Sequence, residues 1–294
     1  MDITGSKKVK KNSQGLETWR RFRKRPTAVV ALFFFAIVLF LALFADVFWD
    51  YQSQAIRQNA QIRLQRPSGE HWFGTDAFGR DLFVRVVFGA RNTLLLGFGA
   101  TFSAAVIGLT LGSTAAYFGG KYDYFVMRCC DILMSVPGIL LVLAVVAGLG
   151  TGIPQLIIAM AVGGFASFTR ILRSGVLGIV NQEYIEASRA LGGSNFYIIT
   201  RHLITNTVGI LLVQLTMNMA SNMMIGASLS FLGMGARIPT PEWGKMLNEG
   251  MSHMRNNWYL VVIPGVALTL TTLSITLIGD GLRDAFDPKL KGRF

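Results

Sequence analysis

The chain has 294 residues, of which 52% are hydrophobic and only 15% are charged, and its mean hydropathy is +0.46. This composition excludes an ordinary soluble domain and predicts an integral membrane protein. The net charge of +12 does not indicate nucleic-acid binding, because Lys and Arg flank apolar runs instead of forming a basic face with interleaved aromatic residues.

The first 25 residues form a basic segment with nine Lys and Arg residues, which we expect to be cytoplasmic. Pro26 then opens a charge-free run of 20 residues, matching the roughly 20 residues that a helix needs to cross the hydrocarbon core. We therefore predict an uncleaved first transmembrane helix over 26–49, with Trp49 and Tyr51 near the far interface.

Residues 50–91 are polar enough to lie outside the membrane as an extracytoplasmic loop. Thr75 or Asp76 is expected to cap a short helix, and Asp81 is expected to form a surface pair with Arg85 at i, i+4. His71 has no second ligand at suitable spacing, so a metal site is not predicted. We interpret the segment as a folded loop packed on the helices, rather than as a substrate-contacting site.

The next uncharged run, 92–120, is rich in small residues, which predicts a second span that packs closely on its neighbours. Arg128 and Asp131 lie three residues apart near the start of the third span and are expected to neutralise each other. Cys129 and Cys130 are sequence neighbours, which disfavours a disulfide between them, so free thiols are expected.

The uncharged run over 132–169 is too long for one crossing. A Gly- and Pro-rich cluster at 148–154 divides it into spans three and four, and Pro137 is expected to kink the third span or to start its membrane part. Spans five and six follow within 203–236 and 256–279, separated by a second external loop. The prediction is a core of five further helices over 92–282 and a cytoplasmic tail at 283–294.

A polar helical hairpin lies between spans four and five, within a predicted cytoplasmic loop over 173–203. Helical pieces are predicted over 184–191 and 194–203, because Ala, Leu and Arg favour helix and the pair Gly192 and Gly193 interrupts it. A polar hairpin held between membrane spans offers a surface that a partner outside the membrane can bind.

The hairpin resembles the EAA loop of ABC importer permease subunits, which reads E-A-A, three residues, G, nine residues, I, any residue, L-P. The matching positions hold Glu186, Ala187, Ser188, Gly192, His202 and Ile204. Ser188 replaces the second alanine and keeps close approach feasible, whereas Thr205 replaces the proline and weakens the expected stiff end of the loop.

Two other segments resemble the dipeptide, oligopeptide and nickel branch of these permeases, in particular its second, C-type subunit. The run from Gly74 to Asp81 matches the signature G-T-D, two residues, G-R-D. Residues 239–245 are similar to a segment of the branch that contains E-W-G.

The resemblance implies an all-α membrane protein with six transmembrane helices and a cytoplasmic coupling-helix hairpin, in a bacterial or archaeal cytoplasmic membrane. The partners it implies are a second homologous permease, two ABC ATPase subunits, an extracytoplasmic substrate-binding protein and membrane lipid. The ATPase-coupling residues it implies are Tyr184, Glu186, Ala187, Ser188, Arg189, Ala190 and Gly192. Residues along the substrate path are not predicted.

The sequence contains no G-x-x-x-x-G-K-[ST] loop, so we expect no cofactor in this chain, with ATP and Mg²⁺ on the ATPase subunits. Six spans with the amino end inside place 19 of the 28 Lys and Arg residues on the cytoplasmic side and nine outside. This distribution favours cytoplasmic termini and a cytoplasmic hairpin.

Short peptides are the expected substrate, with nickel, glutathione or another small solute as alternatives. A secondary transporter or channel subunit is the alternative from another class, although such proteins place ionisable residues along their path and the predicted spans are almost uncharged. An enzyme is not predicted, because His71, His202 and His253 lie in three different extramembrane segments.

Overall fold

The computed structural model describes residues 14–286. In this range the chain folds into twelve α-helices. The described residues form no β-sheet, only an isolated β-bridge between Thr75 and Asp81. The predicted basic residues before Gln14 and the part of the predicted tail after Phe286 lie outside the described residues.

The helices carry the following labels in chain order: α1 (Gln14–Arg23), α2 (Pro26–Leu43), α3 (Ala45–Phe48), α4 (Leu82–Phe118), α5 (Gly120–Met134), α6 (Gly138–Leu149), α7 (Ile153–Leu177), α8 (Glu183–Ala190), α9 (Asn195–Tyr197), α10 (Thr205–Phe231), α11 (Trp243–Met251) and α12 (Tyr259–Phe286). A π-helical turn (Tyr51–Ile56) and a 3₁₀ turn (Ala60–Ile62) lie between α3 and α4. A π-helical segment (Ile198–Ile204) joins α9 to α10.

Five helices within residues 14–286 are long and apolar enough to cross a membrane: α2, α4, α7, the continuous helix Asn195–Phe231, and α12. Together, α5 and α6 are also long and apolar enough to cross a membrane, but the chain bends by 89° between them. Counted as one crossing, this pair brings the number to six. We call the two ends of the bundle the α8 end and the α11 end, after the short helix at each.

The close contact between α4 and α7 forms the centre of the bundle. Gly108 and Gly112 of α4 face α7 so tightly that a Cβ atom would lie 2.8 Å from the Thr169 amide nitrogen at Gly108, and 3.0 Å from the Arg173 amide nitrogen at Gly112. Helices in lipid gain stability from packing rather than from hydrophobicity, so small residues at such a crossing are required.

The other spans surround this pair. α10 packs on α4 and α12, α12 packs on α2, and α11 lies among α4, α10 and α12. Leu94 of α4, Met223 of α10, Trp243 of α11 and Leu268 of α12 belong to one buried apolar cluster. The membrane helices and the short helix α11 therefore share a core.

α4 begins at Leu82, earlier than the second span that the uncharged run predicted to begin at residue 92. Asp81 caps the helix, accepting a hydrogen bond from the Val84 amide at 3.0 Å. The predicted surface pair between Asp81 and Arg85 is wrong, because the Asp81 carboxylate contacts His71 Nδ1 at 2.7 Å and Arg85 is buried. The sequence placed the helix start too late because it treated charged residues as lying outside the span. The charged side chains in the first turns of α4 have partners elsewhere in the fold.

The chain bends between α5 and α6 where Pro137 precedes α6, as the sequence predicted. Asp131 contacts its predicted partner Arg128 only at 3.9 Å, and its shorter contact, 2.6 Å, is to Arg170 of α7. Cys129 and Cys130 are free thiols, as expected. The ion pair with Arg170 therefore ties the bent pair to the centre of the bundle.

The first testable expectation concerns the α4–α7 contact. Gly112→Leu should lower the free energy of unfolding by about 1–3 kcal/mol, because the added side chain has no space against the α7 backbone. The measurement is thermal unfolding of the purified, detergent-solubilised protein. Gly148→Leu is the matched control, since a Cβ atom there meets nothing within 4 Å; equal unfolding temperatures for both variants would contradict the close contact.

Candidate functional site

α8 is a two-turn helix at one end of the bundle, directly after α7. Its first turn carries Glu183 and Glu186 and its last turn carries Arg189, a distribution that suits the helix dipole. Ile185 is fully buried, whereas the other α8 residues are exposed or half-buried. One apolar side chain therefore fixes a helix whose remaining surface is open.

Gly192 makes the turn after α8. Its φ of +81° lies in the left-handed region, which residues with a Cβ atom rarely adopt. Gly193 donates its amide to the Ser188 carbonyl at 2.9 Å, which closes the end of α8. Ser194 then caps the next helix by accepting a hydrogen bond from the Tyr197 amide at 3.2 Å.

Apolar packing seats the hairpin on the bundle. Ile185 packs in a buried cluster with Val176 of α7 and with Ile198 and Leu203 of the second helical piece. Tyr117, at the end of α4, donates its hydroxyl to Asn195 Oδ1 at 2.8 Å, and the Arg189 guanidinium lies 4.7 Å from the centre of the same ring. The hairpin therefore rests on the ends of both central helices.

The second helical piece was predicted to end at residue 203, but it runs on into the span-five helix. Asn195–Phe231 is one continuous helix of 37 residues that includes the π-helical segment. The second arm of the hairpin is therefore continuous with the helix of span five.

The structure brings all seven predicted coupling residues together on α8 and its turn. Tyr184, Glu186, Ala187, Arg189, Ala190 and Gly192 are exposed, and Ser188 is half-buried. Sequence reasoning missed Leu191 and Phe196, whose side chains are 89% and 78% exposed at the tip of the hairpin. Their position beside the glycine pair in a polar hairpin was the available signal, because exposed apolar residues mark binding surfaces.

A polar stripe runs along α10. Gln214, Asn218, Ser221 and Ser228 follow helical spacing and share one face, and each is exposed or half-buried. Only 17% of the most apolar part of this continuous helix is buried within the chain, against 44% for α4 and for α7. Polar side chains in a membrane helix mostly face protein or water rather than lipid, so this face is a candidate for a covering partner or an aqueous path.

An ion network lies at the α11 end. Arg80 contacts Asp76 at 2.6 Å and Glu249 at 2.9 Å, and Arg85 contacts the same carboxylates at 3.3 and 3.1 Å. Arg85 also donates to the Ala55 carbonyl at 2.9 Å. Both arginines are 1% exposed. Two cations thus share two carboxylates and join the predicted outer loop, α4 and α11.

Glu242 begins α11 at the same end. Its carboxylate accepts hydrogen bonds from the amides of Gly244 and Lys245, both at 2.9 Å, and from the Thr93 hydroxyl at 3.1 Å. Burial raises the pKa of Glu242, since removal from water disfavours the charged form, although the two amides act in the opposite direction. Trp243 is buried beside it and donates its indole N–H to the Val86 carbonyl at 2.9 Å.

Comparison with known proteins identifies the family. Residues 108–292 match the family described as binding-protein-dependent transport system inner membrane component. Residues 13–67 match the N-terminal TM domain of oligopeptide transport permease C. The chain belongs to this permease family.

Relatives from Escherichia coli, Shigella boydii and Shigella sonnei named glutathione transport system permease protein GsiD are 44% identical over 276 residues, covering 94% of this chain and 91% of each relative. The solved inward-facing MetNI methionine ABC transporter contains a chain that aligns with a TM-score of 0.56 and 21% identity, over 69% of this permease and 97% of that chain. The latter match supports the fold alone.

The family assignment confirms the expected class: this chain is an ABC importer permease of the peptide and nickel branch. The outer-loop motif that carried the resemblance supplies Asp76 and Arg80 of the ion network, and the E-W-G motif supplies Glu242, which begins α11. Arg85 and Glu249 lie outside the motifs. The sequence assigned Arg85 to Asp81 and missed Glu249, because the contact between Arg85 and Glu249 joins residues 164 positions apart.

Loss of one member of the ion network should lower the stability of the permease. Arg85→Ala should lower stability by about 3–5 kcal/mol, because it leaves Arg80 as the single counter-charge for two largely buried carboxylates. Arg91→Ala, also on α4, removes an exposed pair with Asp46 of α3 and a hydrogen bond to the Ala42 carbonyl, and it should cost only about 1 kcal/mol. Thermal unfolding of both variants in detergent is the measurement, and similar losses in the two would contradict the network's role.

Proposed function

We propose that this permease forms half of the pathway of an ATP-driven importer and that α8 is the surface on which a separate ATPase subunit binds. The observation that carries the proposal is the open surface of α8 and its turn, fixed at its base by Ile185 and bearing exposed Leu191 and Phe196 at its tip. Small side chains at Ala187 and Ala190 allow close approach, and Glu186 provides an ionic contact.

Motion of the ATPase would reach the membrane through the continuous helix Asn195–Phe231. α8 and this helix share the apolar seat around Ile185 and Leu203, so a tilt of α8 is transmitted to α10 as a tilt of a rod. Such coupling requires a bundle with two alternative arrangements, open to one side or to the other.

The proposed topology has six crossings, with α5 and α6 counted as one and both termini cytoplasmic. The α8 end is then the cytoplasmic end and the α11 end faces outward. Support comes from the concentration of Lys and Arg residues at the α8 end. The chain hydrolyses no ATP in this proposal, and an external binding protein delivers substrate to the α11 end.

A second, similar permease would cover the polar stripe on α10. Gln214, Asn218 and Ser221 would then line a path between the two subunits, with exposed Met217 and Met224 as adaptable neighbours. Short peptides of the size of glutathione are the proposed substrate, supported by 44% identity to glutathione permeases. Purification of the assembled transporter and identification of its binding protein's ligand by mass spectrometry tests the substrate, and a bound metal or sugar would contradict it.

Coupling is tested by two changes at α8. Glu186→Ala and Gly192→Val should each reduce uptake at least tenfold in the reconstituted transporter while ATP hydrolysis continues. The ATPase would still hydrolyse ATP, but its motion would no longer be transmitted through α8 to the permease. Uptake and phosphate release are measured on the same proteoliposomes.

Glu70→Ala is the matched control for the coupling test, since Glu70 is an exposed glutamate in the segment before α4. It should leave both rates unchanged. Normal uptake in both α8 variants would refute the coupling role.

The proposed path predicts water access to α10. In a Cys129→Ser, Cys130→Ser background, Ser221→Cys in the assembled transporter should react with a charged, water-soluble thiol reagent at least tenfold faster than Phe102→Cys. Phe102 is the matched control, because its side chain is 66% exposed on an apolar surface of α4. Equal labelling rates would place the stripe against lipid or protein rather than along a path.

A further inference from the structure

A groove of about 470 Å³ lies between α2 and α12 at the α8 end. It is lined by the apolar side chains of Val30, Phe34, Leu270, Leu273 and Leu277, with Thr27 at its end. The lining residues belong to α2 and α12, which are only 17% and 33% buried within the chain in their most apolar parts. The groove is therefore open toward hydrocarbon.

A basic run lies at the mouth of this groove, immediately before Pro26. Arg25 is held by Asp284 at 2.5 Å, which joins the start of α2 to the end of α12. Arg20, Arg23 and Lys24 are exposed, and the structure over residues 14–286 shows no ion pair for any of the three. Asp280 is exposed at the same end, so positive charge still exceeds negative charge there.

α1 fixes these cations in place at the end of the bundle. Phe22 is buried against Ala28 of α2 and Ala285 of α12. Trp19 stacks on Phe22 with ring centres 5.8 Å apart and is 48% exposed. A basic helix with a half-exposed tryptophan is typical of a segment that lies in the membrane interface.

We propose that the groove and the basic run together bind one anionic phospholipid. An acyl chain occupies the groove, and Arg23 and Lys24 contact the phosphate and headgroup. A helix of the second permease is the competing occupant, but an apolar helix leaves three cations without counter-charge, whereas an anionic lipid carries its charge directly beside its apolar chain. The lipid would come from the cytoplasmic leaflet, and this assignment alone rests on the proposed topology.

The test is native mass spectrometry of the purified full chain in detergent, titrated with phosphatidylglycerol, phosphatidylcholine or glycerol 3-phosphate. Phosphatidylglycerol should bind at least tenfold more tightly than phosphatidylcholine, and glycerol 3-phosphate should not bind detectably. The double change Arg23→Gln, Lys24→Gln should weaken phosphatidylglycerol binding about thirtyfold. Val30→Trp should weaken binding of both lipids by filling the groove.

Two matched controls define specificity. Lys121→Gln, Arg201→Gln removes two exposed charges from the α8 end, and Phe33→Trp enlarges a 69% exposed residue of α2 outside the groove. Both should leave the phosphatidylglycerol affinity within twofold of the unmodified chain. Equal loss in the two charge-removing variants would overturn the site in favour of general charge attraction.

The remaining outcomes are equally decisive. Equal affinity for the two lipids would refute the headgroup contact, and tight binding of glycerol 3-phosphate would indicate a free-phosphate site. In the assembled transporter, cross-linking of Val30→Cys to the second permease, unaffected by phosphatidylglycerol, would assign the groove to protein. Micelles have no sides, so these results do not depend on the proposed topology, and the coupling assay at Glu186 tests the proposed function separately.

Discussion

The contact between α4 and α7 is the constraint on which both ends of the molecule depend. It requires glycine at Gly108 and Gly112, where the α7 backbone leaves no space for a Cβ atom. At one end, the last turns of these helices supply Tyr117 and Val176, on which the hairpin rests. At the other, α4 supplies Arg85 and the carbonyl that receives Trp243. A shift of α4 along α7 would therefore disturb both ends together.

The sequence predicted what depends on local patterns and failed where contacts join distant residues. The hairpin at Gly192 was predictable because a glycine pair after a short helix-favouring run has a local cause. The start of α4 was not, because Arg85 and Arg91 read as water-exposed until their distant partners are known. Arg85 is compensated by Glu249, 164 residues away, and Arg91 by the Ala42 carbonyl at 3.0 Å. Of the predicted coupling surface, all seven residues share α8 and its turn, but the apolar tip at Leu191 and Phe196 required knowledge of exposure.

The α11 end and the hairpin at the α8 end differ in the forces that hold them. The α11 end is joined by ionic hydrogen bonds from Arg80 and Arg85 and by the capped start of α11 at Glu242. Such bonds have strict geometry, and breaking one leaves a buried charge, so this end resists gradual deformation. The hairpin at the α8 end is seated mainly by apolar contacts around Ile185, which tolerate small sliding movements because they are not directional. In the proposed cycle, the difference lets the hairpin tilt while the α11 end keeps its shape.

The composition of the α10 stripe bears on how a path along it would treat a peptide. Gln214, Asn218, Ser221 and Ser228 offer hydrogen bonds without net charge. Asn218, Ser221 and Ser228 already donate to carbonyls of their own helix, so each gives a solute only part of its bonding capacity. Transport requires binding that is favourable enough for entry and weak enough for release. A neutral, partly satisfied surface meets that requirement for many small polar solutes, which leaves strong discrimination among peptides to the protein that delivers them.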